Sequence, residues 1–303
     1  MLNAARLRLL VELEDRGSLA AVADALGYTP SAISQGLARL EADTASMLLE
    51  PAGRGVHLTD AGRLLARHAR EVLERLEAAE AALEGDEPAG RLRVAAFQTA
   101  ARTLVVPAFA SLARVHPRLE CELSDQEAET ALPRLLAGEL DVVVAEEYEH
   151  APRARHSRLA RHELGRDELL VALPAGHRLA RRRGRVAVAE LAAEAWATPW
   201  TGTAYASMVA RVCRAAGFEP DVRHRVTDLG TLLELARGGL AVSLVPSLGG
   251  AGEEHGLALR RLRDGGLWRS LHATVRRASE GRPAIELLLA ELRARAAAPL
   301  SAA

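Results

Sequence analysis

Toward the start of the chain, apolar side chains recur at helical spacing, and the pattern stops and restarts twice. Leu7, Leu10 and Val11 share a face with Glu14, and Gly17 ends that run. Ser18 can cap a second run through Ala21, Val22, Ala25 and Leu26, because its hydroxyl accepts from an otherwise orphan backbone N–H. Gly27 suits the left-handed position after a helix. Thr29 opens a third run with Pro30 at its first position, where the missing N–H costs nothing. In that third helix Ile33, Leu37 and Leu40 form a stripe to bury, while Ser31, Ser34, Gln35 and Ala38 fall on another face with Arg39 beside it. Short polar side chains and an arginine suit close approach to a nucleic-acid groove. The pattern fits two arrangements: a helix-turn-helix offering its second helix to DNA, and a plain helical hairpin.

The next stretch, GRGVHLTDAGRLL from Gly53, reads as a tight turn, a short strand through Val56 and Leu58, and a helix capped by Thr59. A hairpin after a three-helix unit would form a wing resting on the DNA backbone, with Arg54 at its tip. From Asp60 to about Glu84, Leu65, Ala69, Val72, Leu76, Ala79 and Leu83 alternate at heptad spacing, opposite the charged Arg67, Arg70, Glu71, Glu74 and Glu77. Such a seam predicts pairing with a second copy, which would set two reading helices on two half-sites. A long helix packed on its own domain is the alternative.

The period then changes. Gly85 to Gly90 (GDEPAG) breaks the long helix and reads as a hinge. LRVAAF, LECELSD and LDVVVAEEY are short apolar strands separated by the helices TLVVPAFASLARVHP and ALPRLLAGE. A similar alternation follows through ELLVALP, WATPW, SMVARVCRAAG, VRHRVTD, LGTLLELARGG and LAVSLVP. Strand and helix in this order predict a parallel α/β sheet.

Composition narrows the chemistry. A chain of 303 residues with 49% hydrophobic positions and a net charge of −1 is that of a folded protein of two or three domains. No apolar run approaches the ~18–20 residues that span a bilayer. The stretch MLNAARLRLLVELEDRG carries acids and no small-residue cleavage site, so a signal peptide is not expected and a cytoplasmic protein is. Cys121 and Cys213 lie far apart outside any CxxC or His-rich cluster, as ordinary half-buried thiols do. The chain has no lysine, which excludes a Walker A loop and Schiff-base chemistry. HELGR, from His162, lacks the second histidine of a zinc-protease motif, no GxSxG elbow occurs, and GGAGEEHG from Gly249 fits no phosphate loop. No enzyme, cofactor or metal site is expected.

The residues RLRLLVELEDRGSLAAVADALGYTPSAISQGLARLE and LLEPAGRGVHLTDAGRLL resemble the LysR-type transcriptional regulators in order and spacing. The likeness extends through LRVAAF, LAGELDVVVAEEY, LLVALPAGHRLA, AAGFEP and LARGGLAVSLVP. It implies an α/β protein with an N-terminal winged helix-turn-helix (1–62), a long dimerisation linker helix (63–84), a hinge (85–90) and a C-terminal two-lobed periplasmic-binding-protein-like effector domain (91–303). Lobe 1 would cover about 91–163 and 268–303, and lobe 2 about 164–267. The chain would cross between them near His162–Gly165 and Gly266–Arg269, with Ala284 to Arg295 a closing helix in lobe 1. The implied function is DNA-binding transcription regulation modulated by a small-molecule effector, in a homodimer or homotetramer that can contact RNA polymerase. By position, Thr29, Pro30, Ser31, Ser34, Gln35 and Arg39 would form the reading face on double-stranded DNA, with Arg54 the wing contact. Effector contacts would come from Phe97, Gln98, Thr99 and Ala100, from Trp200, Thr201, Gly202 and Thr203, and from Thr227 and Asp228. Helix N-termini at such places offer unpaired N–H groups to polar ligands. No arginine obviously marks an acidic ligand; Arg102 is near the first loop.

Three positions depart from the family pattern. Gly36 stands where a polar recognition-helix residue is common, Pro51 where an arginine precedes the wing, and Ala45 where a turn glycine is usual. Residues 1–62 also carry five arginines against eight acids, where phosphate neutralisation favours a basic excess. The alternative they raise is a ligand-binding or interaction protein with a weakened DNA-reading head.

Overall fold

The computed structural model describes residues 2–52, 55–83, 88–149, 153, 155–182, 184–248, 256–263 and 267–300. The chain divides into two compact units, residues 1–85 and 86–303. No helix among the described residues is long and apolar enough to cross a membrane.

The first unit contains α1 (Ala4–Arg16), α2 (Leu19–Leu26), α3 (Pro30–Thr44), the hairpin β1 (Leu49–Ala52) and β2 (Gly55–Leu58), and α4 (Asp60–Leu83). The caps are local chemistry: the Ser18 hydroxyl accepts from Ala21 N–H at 3.2 Å, and the Thr29 hydroxyl from Ala32 N–H at 3.2 Å. Gly17 and Gly27 take the left-handed C-terminal positions. Leu10, Leu13, Val22, Ile33, Leu37 and Leu40 fill the core between the three helices. Ala45 ends α3 at φ 49, a left-handed conformation without glycine's freedom.

The heptad expectation for α4 needs correction. Ala69 is buried and Leu65 half-buried in the core of the head, together with Ala66 and Leu73, so this part of the helix packs on its own unit. Val72, Leu76 and Ala79 are exposed, and the Leu83 side chain lies outside the described residues. Arg70 is not on a solvent face; it pairs with Glu14 and Asp15 of α1.

In the second unit the described elements are β3 (Gly90–Ala96), α5 (Gln98–Ala100), a π-helical turn (Ala101–Val105), α6 (Val106–Val115), β4 (Leu119–Asp125), α7 (Ala128–Leu136), β5 (Val142–Tyr148) and β6 (Leu159–Pro174). Then come β7 (Ala195–Thr198), α8 (Ala204–Ala215), β8 (Asp221–Arg225), α9 (Leu229–Arg237), β9 (Ser243–Pro246), β10 (Leu257–Arg261), β11 (Leu267–Arg276) and α10 (Pro283–Leu300). Among these residues one seven-stranded sheet runs β10-β6-β11-β5-β3-β4, with β9 also on β6. The β3 pairings with β4 and β5 are parallel, whereas β5–β11 and β11–β6 are antiparallel. The expected parallel pairing therefore holds for β4-β3-β5 and for the separate β7–β8 pair, and not along β5-β11-β6.

Two apolar cores flank the long strands. One gathers Leu92, Val94, Leu104 and Val142 with Ile285, Leu288 and Leu292 of α10. The other gathers Val171, Leu173, Trp196, Met208, Val209 and Leu244. Along β6 the chain leaves the first core at Leu164 and enters the second at Leu169; along β11 it leaves the second at Leu267 and enters the first at Leu271. Gly165 sits at the start of the passage with φ +147, and a Cβ there would lie 2.9 Å from Leu300. The β6–β11 register slips between Leu271 and His272, just past the passage; Gly266 is outside the described residues.

Candidate functional site

In the head, Ser31, Ser34, Gln35, Ala38 and Arg39 are exposed on one side of α3, as are Thr29 and Pro30 at its start. Arg54 lies outside the described residues. Gly36 does not belong to that face. A Cβ there would come within 2.4 Å of the Leu9 Cδ1 atom of α1, the flexible end of a half-buried side chain. The acids of the head are largely spent internally. Glu12 pairs with Arg16 at 2.6 Å, Asp60 with Arg63 at 2.6 Å, and Asp43 with Arg6. Glu14 and Asp15 hold Arg70, and the Glu41 carboxylate accepts from Leu48 and Leu49 N–H at 2.8 and 3.1 Å. The stretch Ser31–Arg39 itself contains no acid. Pro51 pairs with Val56 in the hairpin, at the strand of the wing.

In the second unit a cavity of about 90 Å³ opens between the two cores. Phe97, Gln98 and Thr99 reach it from the end of β3 and the start of α5, Glu127 from the start of α7, and Glu146 and Tyr148 from β5. The opposite wall is Pro199, Thr203, Ala204 and Tyr205 before and within α8, Thr227, Leu229 and Leu232 around the start of α9, and Leu244 and Pro246 of β9. Arg269 of β11 forms part of the lining.

Of the expected effector residues, Phe97, Gln98, Thr99, Thr203 and Thr227 line this cavity. Ala100 does not: it is fully buried in the first core. Trp200 is 64% exposed, and Thr201 and Gly202 line a separate shallow depression on α8. Asp228 caps α9, accepting from Thr231 N–H at 2.8 Å, and takes a hydrogen bond from the Gln98 amide at 2.9 Å. That amide's oxygen accepts from Leu229 N–H at 3.1 Å, so one glutamine holds both sides of the cleft. The Thr231 hydroxyl, then the Gln98 amide, hold the Asp228 carboxyl below its ordinary range. Arg102 is exposed and absent from the lining.

The residues that dominate the electrostatics were not anticipated. Arg269 is 4% exposed; its guanidinium donates to Asp167 at 2.8 and 2.7 Å and to the Thr99 hydroxyl at 2.9 Å, and lies 4.9 Å from the Phe97 ring centre. Burial pulls against the Arg269 charge, but Tyr148, Asp167 and Glu146 outweigh it and keep its pKa above the ordinary value. Glu146, also 4% exposed, has its Oε2 buried without a hydrogen-bond partner. Burial pushes its carboxyl up, against Arg269 and Arg153. Burial, then Glu146, Glu129 and Asp125, push Glu127 up to about 7, with Arg269 opposing. Tyr205 donates to the Leu244 carbonyl and is pushed up to about 12 by burial. Among the described residues no group of three or more His, Cys, Asp or Glu is placed to hold a metal ion.

A winged helix-turn-helix and a cleft between two α/β cores, carried by one chain, define a ligand-responsive DNA-binding regulator. The chain belongs to the LysR family. Residues 4–63 match the bacterial regulatory helix-turn-helix proteins of the lysR family, and residues 85–297 match the LysR substrate binding domain. A probable hydrogen peroxide-inducible genes activator of Mycobacterium avium is 30% identical over 245 residues, covering 80% of this chain and 77% of that one. The dual regulator OxyR of Escherichia coli K12 is 27% identical over 255 residues, covering 82% and 80%. A cysteine variant of full-length OxyR from Pseudomonas aeruginosa superposes with a TM-score of 0.69 at 22% identity, covering 97% of this chain and 98% of that one. Full-length CbnR in complex with its target DNA superposes at 0.55 and 23% identity, covering 97% and 100%. These structural likenesses bear on the fold. The protein is a DNA-binding transcriptional regulator with an effector-binding domain.

Proposed function

We propose that the head (1–62) reads DNA with Ser31, Ser34, Gln35 and Arg39, helped by Thr29 and Pro30 at the helix start and by Arg54 at the wing. The effector domain (91–303) holds a small molecule in the cleft lined by Phe97, Thr99 and Arg269. A linker helix (63–84) and hinge (85–90) join them, and Val72, Leu76 and Ala79 pair copies into a homodimer or homotetramer. The protein works in the cytoplasm without catalysing a reaction, and effector binding shifts the DNA-bound arrangement that meets RNA polymerase. The observation that carries this reading is the cavity at the passage between the two cores, in the same chain as a helix that exposes Ser31, Ser34, Gln35 and Arg39.

Peroxide sensing, named for several relatives, does not fit the thiols of this chain. A thiolate is the group that attacks peroxide. Cys213 is fully buried in the second core and pushed by burial up to about 12; Cys121 is also raised by burial and packs on the first core. These thiols favour an effector that is bound over one sensed covalently.

The test is fluorescence anisotropy on DNA upstream of the protein's own gene, with scrambled competitor and a salt series. Specific binding that weakens in Ser34→Ala and Arg39→Ala supports the reading. Equal affinity for the scramble by a folded dimer would move the function to ligand binding alone. Hydrogen peroxide should leave the affinity unchanged.

A further inference from the structure

We infer that the cleft takes a small organic cation, a protonated amine, whose nitrogen is held by Glu146 and Glu127. The inference rests on the effector-pocket reading above and names the class of ligand.

Arg269 gives its hydrogen bonds to Asp167 and Thr99, and Asp167 is further satisfied by the Ser247 hydroxyl at 2.6 Å and Leu248 N–H at 2.8 Å. Arg153 pairs with Glu129 at 3.0 Å and donates from Nε to the Glu146 backbone carbonyl. Each arginine thus has its own hydrogen-bonded or paired acid, although both also act on Glu146 through space. Glu146 and Glu127 remain as two acids in a largely apolar cleft, near Arg269 but not hydrogen-bonded to it.

The Oε2 of Glu146 is unpartnered. A buried acceptor without a donor is rare and costly, and is retained where something completes it. An ammonium supplies both the donor and the charge.

Anions fit the cleft poorly. Helix N-termini ordinarily attract them, but donors at the starts of α8 and α9 are already taken. At α8, Ala204 N–H goes to Glu129 at 3.3 Å and Ala206 N–H to Thr203. At α9, Leu229 and Thr231 N–H go to Gln98 and Asp228. A carboxylate ligand would find these occupied and would face two glutamates. Tyr148 and Tyr205, stacked edge to face at 6.1 Å, give an amine's carbon skeleton an aromatic wall.

The experiment uses the full-length protein with agmatine and phenethylamine, matched against succinate and 3-phenylpropionate, by thermal shift and calorimetry. Amines should raise the melting temperature and bind, more weakly at pH 6 than at pH 8 as the carboxyls take up protons; the carboxylates should do neither. Glu146→Gln should weaken amine binding at least tenfold while the ligand-free variant melts no lower than the parent, which separates lost binding from misfolding. Amine binding undiminished in Glu146→Gln overturns the inference. Binding of the carboxylates alone overturns it too, and leaves the effector-pocket reading standing. If neither class binds while DNA is still bound specifically, both the amine and the cleft as effector site are overturned.

Discussion

Arg269 and Asp167 stand directly opposite each other on β11 and β6, where both strands pass between the two cores, and their side chains meet at 2.7 Å. The same arginine is opposite Tyr148 on β5 and reaches Thr99, so elements from both sides of the cleft converge on one buried charge. Removing one partner of such a pair strands the other. Arg269→Met should cost about 3–5 kcal/mol, read as a lower urea midpoint of the effector domain. Adding Asp167→Asn should restore part of that loss. A double variant as unstable as the sum of the singles would mean that the two residues do not act as a pair.

Glu127 gives the cleft a pH signature. Its carboxyl titrates near 7 in the fold, above its unfolded value, so the folded chain holds a proton that the unfolded chain has released. The contribution to stability is full in acid and is lost as pH rises through about 7. Glu127→Gln should match the parent near pH 4 and exceed it at pH 8, by less than a fully buried carboxyl would give, because the Glu127 side chain is open to solvent that screens its charge. Denaturant titrations at several pH values test this, and a constant difference across the range would refute it.

Gln98 spans the cleft with both ends of its amide engaged. Gln98→Ala removes two hydrogen bonds and leaves Leu229 N–H unpaired, a loss of about 1–2 kcal/mol from the closed arrangement. Hydrogen exchange at the start of α9 should accelerate in this variant, with little change inside β3.

Ala45 offers a change in the opposite direction. Its φ of 49 is strained for any residue with a Cβ. Ala45→Gly should stabilise the head by up to ~1 kcal/mol, seen as a higher melting temperature with DNA affinity kept.

The head was largely legible because its signals are local: Ser18, Gly27 and the Thr29–Pro30 pair act on neighbours within one turn. Periodicity was less informative for α4, since a stripe containing Ala69 states that a face is buried but not against what; the answer was α1 of the same unit. In the cleft, Phe97 to Thr99, implied by the family resemblance at the end of the first strand, line the cavity. Arg269 and Glu146 were hidden because charged residues in strands read as solvent-facing, and Arg269 finds Asp167 only 102 residues away in sequence. Gly36 stands where a polar recognition-helix residue is common, and a Cβ there would point toward Leu9 of α1.

Because β6 and β11 stay hydrogen-bonded to each other from one core to the other, the cleft is joined by a continuous ribbon and not by loose loops. A ribbon of this kind acts as a leaf spring: it twists and bends over small angles and resists a free swing. A ligand in the cleft then works against stiffness, and the response is a modest, reversible change of set whose size depends on how firmly the ligand grips both sides.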